Sequence, residues 1–397
     1  MVTTRTAGLP RAAPEGLLAA VLLAFLATAG LFYVNIMPAL VAGLIDGLGF
    51  TNRQAGFVAS ANVYGAACGA LVAVFLVRRI PWRRAEVVAL ILLLLLDLVS
   101  TQVTTAGPLT ALRFVHGVVG GISVGIGLAV MARTRVPDRA FGMLLTVQYG
   151  AGGLGVMFLP RLAHQFGPQV LFLALAAFTL ITLLMLPFLA EYPPRERVAA
   201  LAGAPPTTVK RAPLLLTLTA VFLFQASNMG LSAFIIPLGR HYGLEDTFIS
   251  NTLGFANWIG ILGSIAVIWM AGRYGRALPV AAALVVTLVG IAAFLRSDAG
   301  WVFIAANAVT AVTWSFLIPY FFGMCADFDP AGRSATLAGF FSKMGLASGP
   351  AAAALLLGDS NYGLLIIVSL VGIALCGIAV LGPARKLDGV RVGGVQC

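Results

Sequence analysis

The sequence predicts an all-α membrane protein of about twelve spans arranged as two six-helix halves. Three observations predict it: repeated apolar runs of about 20 residues, a bias of basic residues toward alternate loops, and an internal repeat. Of 397 residues, 60% are hydrophobic and only 10% charged, too few charges to cover a soluble domain of this size. About 20 apolar residues cross a ~30 Å hydrocarbon core as a helix, and a helix satisfies its own backbone in lipid. The 45 glycines and 20 prolines agree, because both residues are more frequent in membrane helices than in soluble ones.

Taken in order, the apolar runs place spans at 17–44, 53–77, 86–105, 108–132, 140–160, 168–190, 213–238, 247–271, 278–296, 300–324, 334–357 and 362–382. The first run continues as a full span and has no small-residue cleavage site, so a cleaved signal peptide is not expected. The longest polar stretch, Glu191–Ala212, holds Pro193, Pro194, Pro205 and Pro206. It divides the chain into an N-terminal bundle over 1–190, a linker over 191–212, and a C-terminal bundle with a short tail over 213–397.

The net charge of +11 would suggest nucleic acid if it formed one patch. It does not, since the basic residues sit in short loops between apolar runs. Arg78, Arg79, Arg83 and Arg84, then Arg133, Arg135 and Arg139, then the linker, Arg273, Arg276, Arg333 and the tail all fall on one side. The other side has only Arg53, Arg161, Arg240 and Arg296. By the positive-inside rule both termini are cytoplasmic, and the chain belongs in a cell inner membrane.

The two halves repeat. Residues 137–155 align without gaps on 331–349, pairing Arg139 with Arg333 and Gly155 with Gly349. Gly56-Phe57 pairs with Gly254-Phe255, and Pro38 with Pro237. Six spans repeated in the same orientation form a parallel repeat.

With these features the chain resembles the major facilitator superfamily over nearly its whole length. That family's loop signature between spans two and three, Gly–x–x–x–Asp–Arg–x–Gly–Arg–Arg, is visible in the second half as Ala271-Gly272-Arg273-Tyr274-Gly275-Arg276. The first half keeps only Arg78-Arg79-Ile80-Pro81-Trp82-Arg83-Arg84. Both copies lack the acidic position, so of the family's gating loop only Arg83, Arg84, Arg273 and Arg276 carry over. The fourth-span Arg–x–x–x–Gly pattern is present as Arg113 to Gly117. The antiporter motif of span five should end in Gly-Pro and here reads Gly155-Val156, which disfavours a drug/proton antiporter. The resemblance implies a major facilitator fold and a secondary transporter working by alternating access.

Enzyme signatures are missing. Gly150 to Gly155 matches the dinucleotide fingerprint in form, but no strand precedes it and it lies inside an apolar span, where small residues pack helices. The histidines His116, His164 and His241 are dispersed. Cys68, Cys325, Cys376 and Cys397 show no metal spacing and read as free thiols. Neither a cofactor nor a metal is expected.

Ionisable groups inside spans cost roughly 2.5–3.5 kcal/mol on insertion scales and normally face a partner or a cavity. Asp97 and Arg113 lie at depths of roughly 12 and 9 Å on consecutive antiparallel helices, a geometry that allows an ion pair. It would serve either as a staple or, with His116 one turn further on, as a proton-coupling group. Lys343 lies roughly 14 Å into span eleven with no evident acidic partner, so an anion could stand in for one. A lysine in span eleven binds carboxylate in the oxalate/formate branch of the family, but the basic residue of span eight that accompanies it there is missing here. The bland alternative for Lys343 is packing against rings and helix-end carbonyls.

Uncharged polar residues fall in stripes. Gln225, Asn228 and Ser232 share one face of span seven, and Asn307, Thr310 and Trp314 one face of span ten. Tyr33, Asn35, Gln148, Tyr149, Asn257 and Trp258 are further candidates for a central cavity. One such residue is more often an interhelical hydrogen bond than a ligand contact; two stripes favour a cavity. The first expectation is proton-driven uptake (symport) of a small organic anion, a carboxylate. Drug efflux is the second, and a lipid translocator or a non-transporting receptor of the same fold the third. The expected partners are a small-molecule substrate, protons and the lipid bilayer, without nucleic acid, for a chain acting as a monomer.

Overall fold

A computed structural model describes residues 11–76, 81–193, 210–270, 273–328, 333–358 and 360–393. Within them every regular element is a helix. Most of the linker, Arg78 to Ile80, Ala271-Gly272, Ala331 of the repeat, and Cys397 lie outside the described residues.

Ten helices are long and apolar enough to cross a membrane. Two further spans complete the twelve. Trp82–Ser100 is span three, and Arg83, Arg84, Glu86 and Asp97 lower its apolarity. Span one is broken into Leu17–Ala29, Phe32–Asn35 and Met37–Leu48, where the sequence predicts a single run.

The second of these breaks, at Ile36, has a physical cause that recurs in the second half. Pro38 has no N–H, and its ring clashes with the carbonyl four residues earlier, so the helix stops and restarts at Ile36 with φ −106° and ψ 14°. Span seven is Arg211–Ala233 followed by Ile235–His241. It breaks ahead of Pro237, at Phe234, with φ −108° and ψ 16°. The two prolines that the sequence repeat pairs therefore make the same joint.

Helix contacts repeat as well. In span two (Asn52–Leu76), a Cβ on Gly65 would collide with the carbonyl oxygen of Phe114 in span four (Ala106–Met131). In span eight (Asp246–Met270), a Cβ on Gly263 would collide with the carbonyl oxygen of Val312 in span ten (Gly300–Phe328). Both pairs have the same offset along the chain. Backbones can approach this closely only where the side chain is a hydrogen atom.

The outside of the molecule is apolar. Phe75, Ile268, Val289, Trp301 and Ile378 are among many large exposed hydrophobic side chains, as a surface facing lipid requires. The face carrying Arg83, Arg133 and Arg276 is called the basic face below, and the other the opposite face.

Candidate functional site

Between the halves, at mid-depth, lies a cavity of about 290 Å³. That is close to the lower end of the ~300–1,000 Å³ usual for ligand pockets. The broken spans one and seven line it with polar side chains: Asn35 from the first, Gln225, Asn228 and Ser232 from the second. Span five, Pro137–Phe166, adds Gln148 and Tyr149, and span eight adds Asn257. Asn307, Thr310 and Trp314 come from span ten. Apolar residues such as Leu31, Met229, Ile235 and Leu346 fill the rest of the wall.

Three sequence candidates, Tyr33, Lys343 and Trp258, are not in this wall. Tyr33 is buried and its hydroxyl points to the carbonyl of Val58 at 3.5 Å. Lys343, in span eleven (Arg333–Leu357), is partly buried and has no hydrogen-bond or ion-pair partner among the described residues. It stands one turn from Leu346, which does line the cavity. Trp258 seals the seam instead, donating from Nε1 to the Gly150 carbonyl at 3.4 Å.

The ionisable cluster of the N-terminal half lies off the cavity. Arg113 Nη1 meets Asp97 Oδ1 at 2.8 Å, and both side chains are fully buried. The same guanidinium donates to the Leu96 carbonyl at 3.0 Å, contacts Ser100 Oγ, and lies 4.9 Å from the Phe172 ring centre. Asn62 Nδ2 donates to the Arg113 carbonyl at 3.2 Å, which fixes which end of the amide points there. That same nitrogen faces His116 Nδ1 at 2.8 Å, so Nδ1 accepts. The ring hydrogen is thereby placed on Nε2, 3.2 Å from Asp97 Oδ1. Asp97 Oδ2 is buried without a partner among the described residues.

The signature arginines act within one half each. Arg83 donates to the carbonyls of Leu186, Leu189 and Ala190 at 2.9, 2.7 and 3.2 Å, and pairs with Glu191 at 3.0 Å. It thus caps the end of span six. Arg276 pairs with Asp327 at 2.5 Å, and its backbone N–H meets Asp388 at 2.7 Å. Arg273 stacks over Trp269. Arg84 makes none of these ties.

Two features escape the sequence reading. Glu86 is fully buried, with Ser123 Oγ donating to its Oε1 at 2.5 Å. Its place beside Arg83 and Arg84 makes it look like a loop residue. Arg240, past the apolar run of span seven, joins Asp46 and Asp246, each at 2.5 Å. Burial alone would lower the pKa of this guanidinium, but the hydrogen bonds to Asp246 and Asp46 outweigh it and hold the pKa above its ordinary value.

The polar contacts joining the halves run from mid-depth to the opposite face. Tyr64 meets Ser348 at 2.8 Å, Asn52 reaches the Gly358 carbonyl at 3.2 Å, Arg161 contacts Asn251, and Arg240 spans to Asp46. The cavity is thereby closed from the opposite face.

Twelve spans in two repeated halves around a solute-sized cavity define a polytopic membrane transporter. The chain belongs to the Major Facilitator Superfamily, whose profile matches residues 18–354. The comparison with curated proteins returns no match. Among solved structures, a mutant of the nucleoside transporter NupG is similar at TM-score 0.74 and 12% identity, covering 92% of this chain and 99% of that one. A bacterial homologue of the human lysosomal transporter Spinster, inward-facing and occupied, gives TM-score 0.70 at 13% identity, covering 95% and 98%. A D-xylose-proton symporter gives 0.67 at 12%, covering 89% and 96%. At these identities the likeness is one of fold. Family and neighbours indicate a transporter rather than an enzyme.

Proposed function

We propose that this chain is a secondary active transporter that moves a small organic solute across the inner membrane by alternating access. The observation that carries it is the mid-depth cavity, shared by both halves and closed, among the described residues, by polar contacts on the opposite face. The moving bodies on this reading are 1–190 and 213–397, joined by 191–212. The basic face is cytoplasmic by its arginines and lysines, so the conformation is inward-facing and both termini are inside. A volume of about 290 Å³ suits one small solute and argues against a phospholipid or a large drug. The chain works as a monomer, since each cavity is complete within one copy.

Proton coupling is part of this proposal. Asp97, Arg113 and His116 are its candidate residues, supported by the unpartnered Asp97 Oδ2 and by the D-xylose-proton symporter among the similar folds. An organic anion as substrate is a second reading, favoured by the unpaired Lys343 near the cavity-lining Leu346. On that reading Lys343→Met removes a charge-assisted contact of about 1.5–3 kcal/mol, a roughly ten- to hundred-fold loss of affinity.

The test is counterflow in proteoliposomes loaded with carboxylates, amino acids, sugars or nucleosides. Accelerated exchange of one class, abolished in Asn228→Leu, supports the proposal. A solute that binds the purified protein but never exchanges overturns it.

A further inference from the structure

The cavity wall of the C-terminal half shares one detail of hydrogen bonding. Asn228 Nδ2 donates to the carbonyl of Phe224 at 2.9 Å, Asn257 Nδ2 to that of Leu253 at 3.0 Å, and Asn307 Nδ2 to that of Phe303 at 2.8 Å. Each partner is a backbone carbonyl one turn back, which can only accept, so the amide must present its nitrogen there. Among the described residues the Oδ1 of each asparagine has no protein partner, and each amide keeps a second N–H. Thr310 behaves in the same way, giving its hydroxyl hydrogen to the Ala306 carbonyl at 2.8 Å and keeping its lone pairs.

Two donors of the wall are engaged with other side chains. Trp314 Nε1 donates to Gln225 Oε1 at 2.8 Å, and Gln225 Nε2 to Ser342 Oγ at 2.7 Å. Among the described residues, no Asp, Glu, Lys, Arg or His lines the cavity. The wall therefore carries no formal charge and offers neutral polar groups only, the free asparagine oxygens together with the Gln148 amide and the Ser232 hydroxyl. A carboxylate would find no counter-charge and would leave the asparagine oxygens without donors. A cation would meet the oxygens but no counter-charge, and an unbalanced ion in an apolar surround is costly.

We infer that the cavity takes an uncharged solute rich in hydrogen-bond donors, and that Asn228, Asn257 and Asn307 recognise those donors. The inference rests on the transporter reading only for its purpose, since binding can be measured without transport. The donors are either hydroxyl or N–H groups, and separate probes distinguish the two.

The experiment is calorimetric binding to the purified full-length protein of four probes. They are a pentose with hydroxyl donors only, a free pyrimidine base with N–H donors only, a dicarboxylate, and a quaternary ammonium. The measurement is repeated with Asn257→Leu and Asn307→Leu. The expected result is binding of the pentose or the base alone, weakened about tenfold in each variant, the worth of about one hydrogen bond. If a variant fails to fold, the wild-type panel decides. Binding of the dicarboxylate that is lost in Lys343→Met overturns the inference, as does binding of neither donor probe or affinity unchanged in both variants. Counterflow separates the two claims: a donor probe that binds but never crosses refutes transport alone, and a carboxylate that crosses refutes this inference alone.

Discussion

Arg240 and Asp46 stand 194 residues apart in sequence and belong to different halves, yet Nη1 and Oδ2 lie 2.5 Å apart at the opposite face. The same guanidinium holds Asp246 of its own half through Nε at 2.5 Å and Nη2 at 3.0 Å. One arginine therefore fastens the start of span eight to span seven, and both to span one. Because the helix carrying it begins after the joint at Phe234, the latch and the cavity wall share the same broken span.

Asp46→Asn should loosen this latch. A partly exposed ion pair contributes about 0.2–1 kcal/mol, so the closed-to-open ratio on the opposite face should fall by up to about fivefold. Spin-label distances across that face would register the change. High salt should reproduce part of it in the native chain, since exposed pairs are screened within about 10 Å at 0.1 M. Unaltered distance distributions would remove Arg240 from the closure.

The glycine contacts make a paired prediction. Gly65→Ala and Gly263→Ala each drive a methyl group into a carbonyl oxygen of the neighbouring span. Overpacking of this kind costs about 1–3 kcal/mol. Both should lower the thermal unfolding temperature in detergent, and by similar amounts, because the contact is the same in each half. A large loss in one half with none in the other would mean that the repeat is one of sequence without energetic equivalence.

What the sequence discloses depends on how far its signals reach along the chain. Apolar runs and loop charges are local, so the spans and the repeat are legible. The joints at Ile36 and Phe234 are implied by Pro38 and Pro237, yet other prolines, such as Pro160 and Pro319, lie inside unbroken helices. Proline alone therefore does not announce a break. The depth of Lys343 is legible from residue counting, but its direction is not. At about 100° per residue it stands only about 60° around the helix from Leu346, yet Leu346 lines the cavity and Lys343 does not. The Arg240–Asp46 contact joins distant segments and has no local signature. Glu86 is hidden for a different reason: its neighbours Arg83 and Arg84 suggest a loop, while Arg83 in fact turns away to cap span six.

Asp97 and Arg113 give the sharpest division between a staple and a coupling site. Asp97→Asn keeps the shape of the side chain and leaves the guanidinium buried without its counter-charge. Breaking one partner of a buried pair costs about 3–5 kcal/mol, and thermal unfolding in detergent should show a loss of this order. Removing both charges, with Asp97→Leu and Arg113→Met together, abolishes the desolvation penalty along with the attraction, so most of the lost stability should return. Proton-driven accumulation measured on this double variant then separates the roles. If the pair is a staple, the refolded double variant still concentrates solute against its gradient when a pH difference is imposed. If the pair couples protons, the double variant is stable and exchanges solute by counterflow, but no longer responds to the pH difference. The spare oxygen of Asp97 and the contact of His116 with the same carboxylate favour the second outcome. A double variant that accumulates normally would assign the coupling to another group and leave this cluster as a clamp between spans three and four.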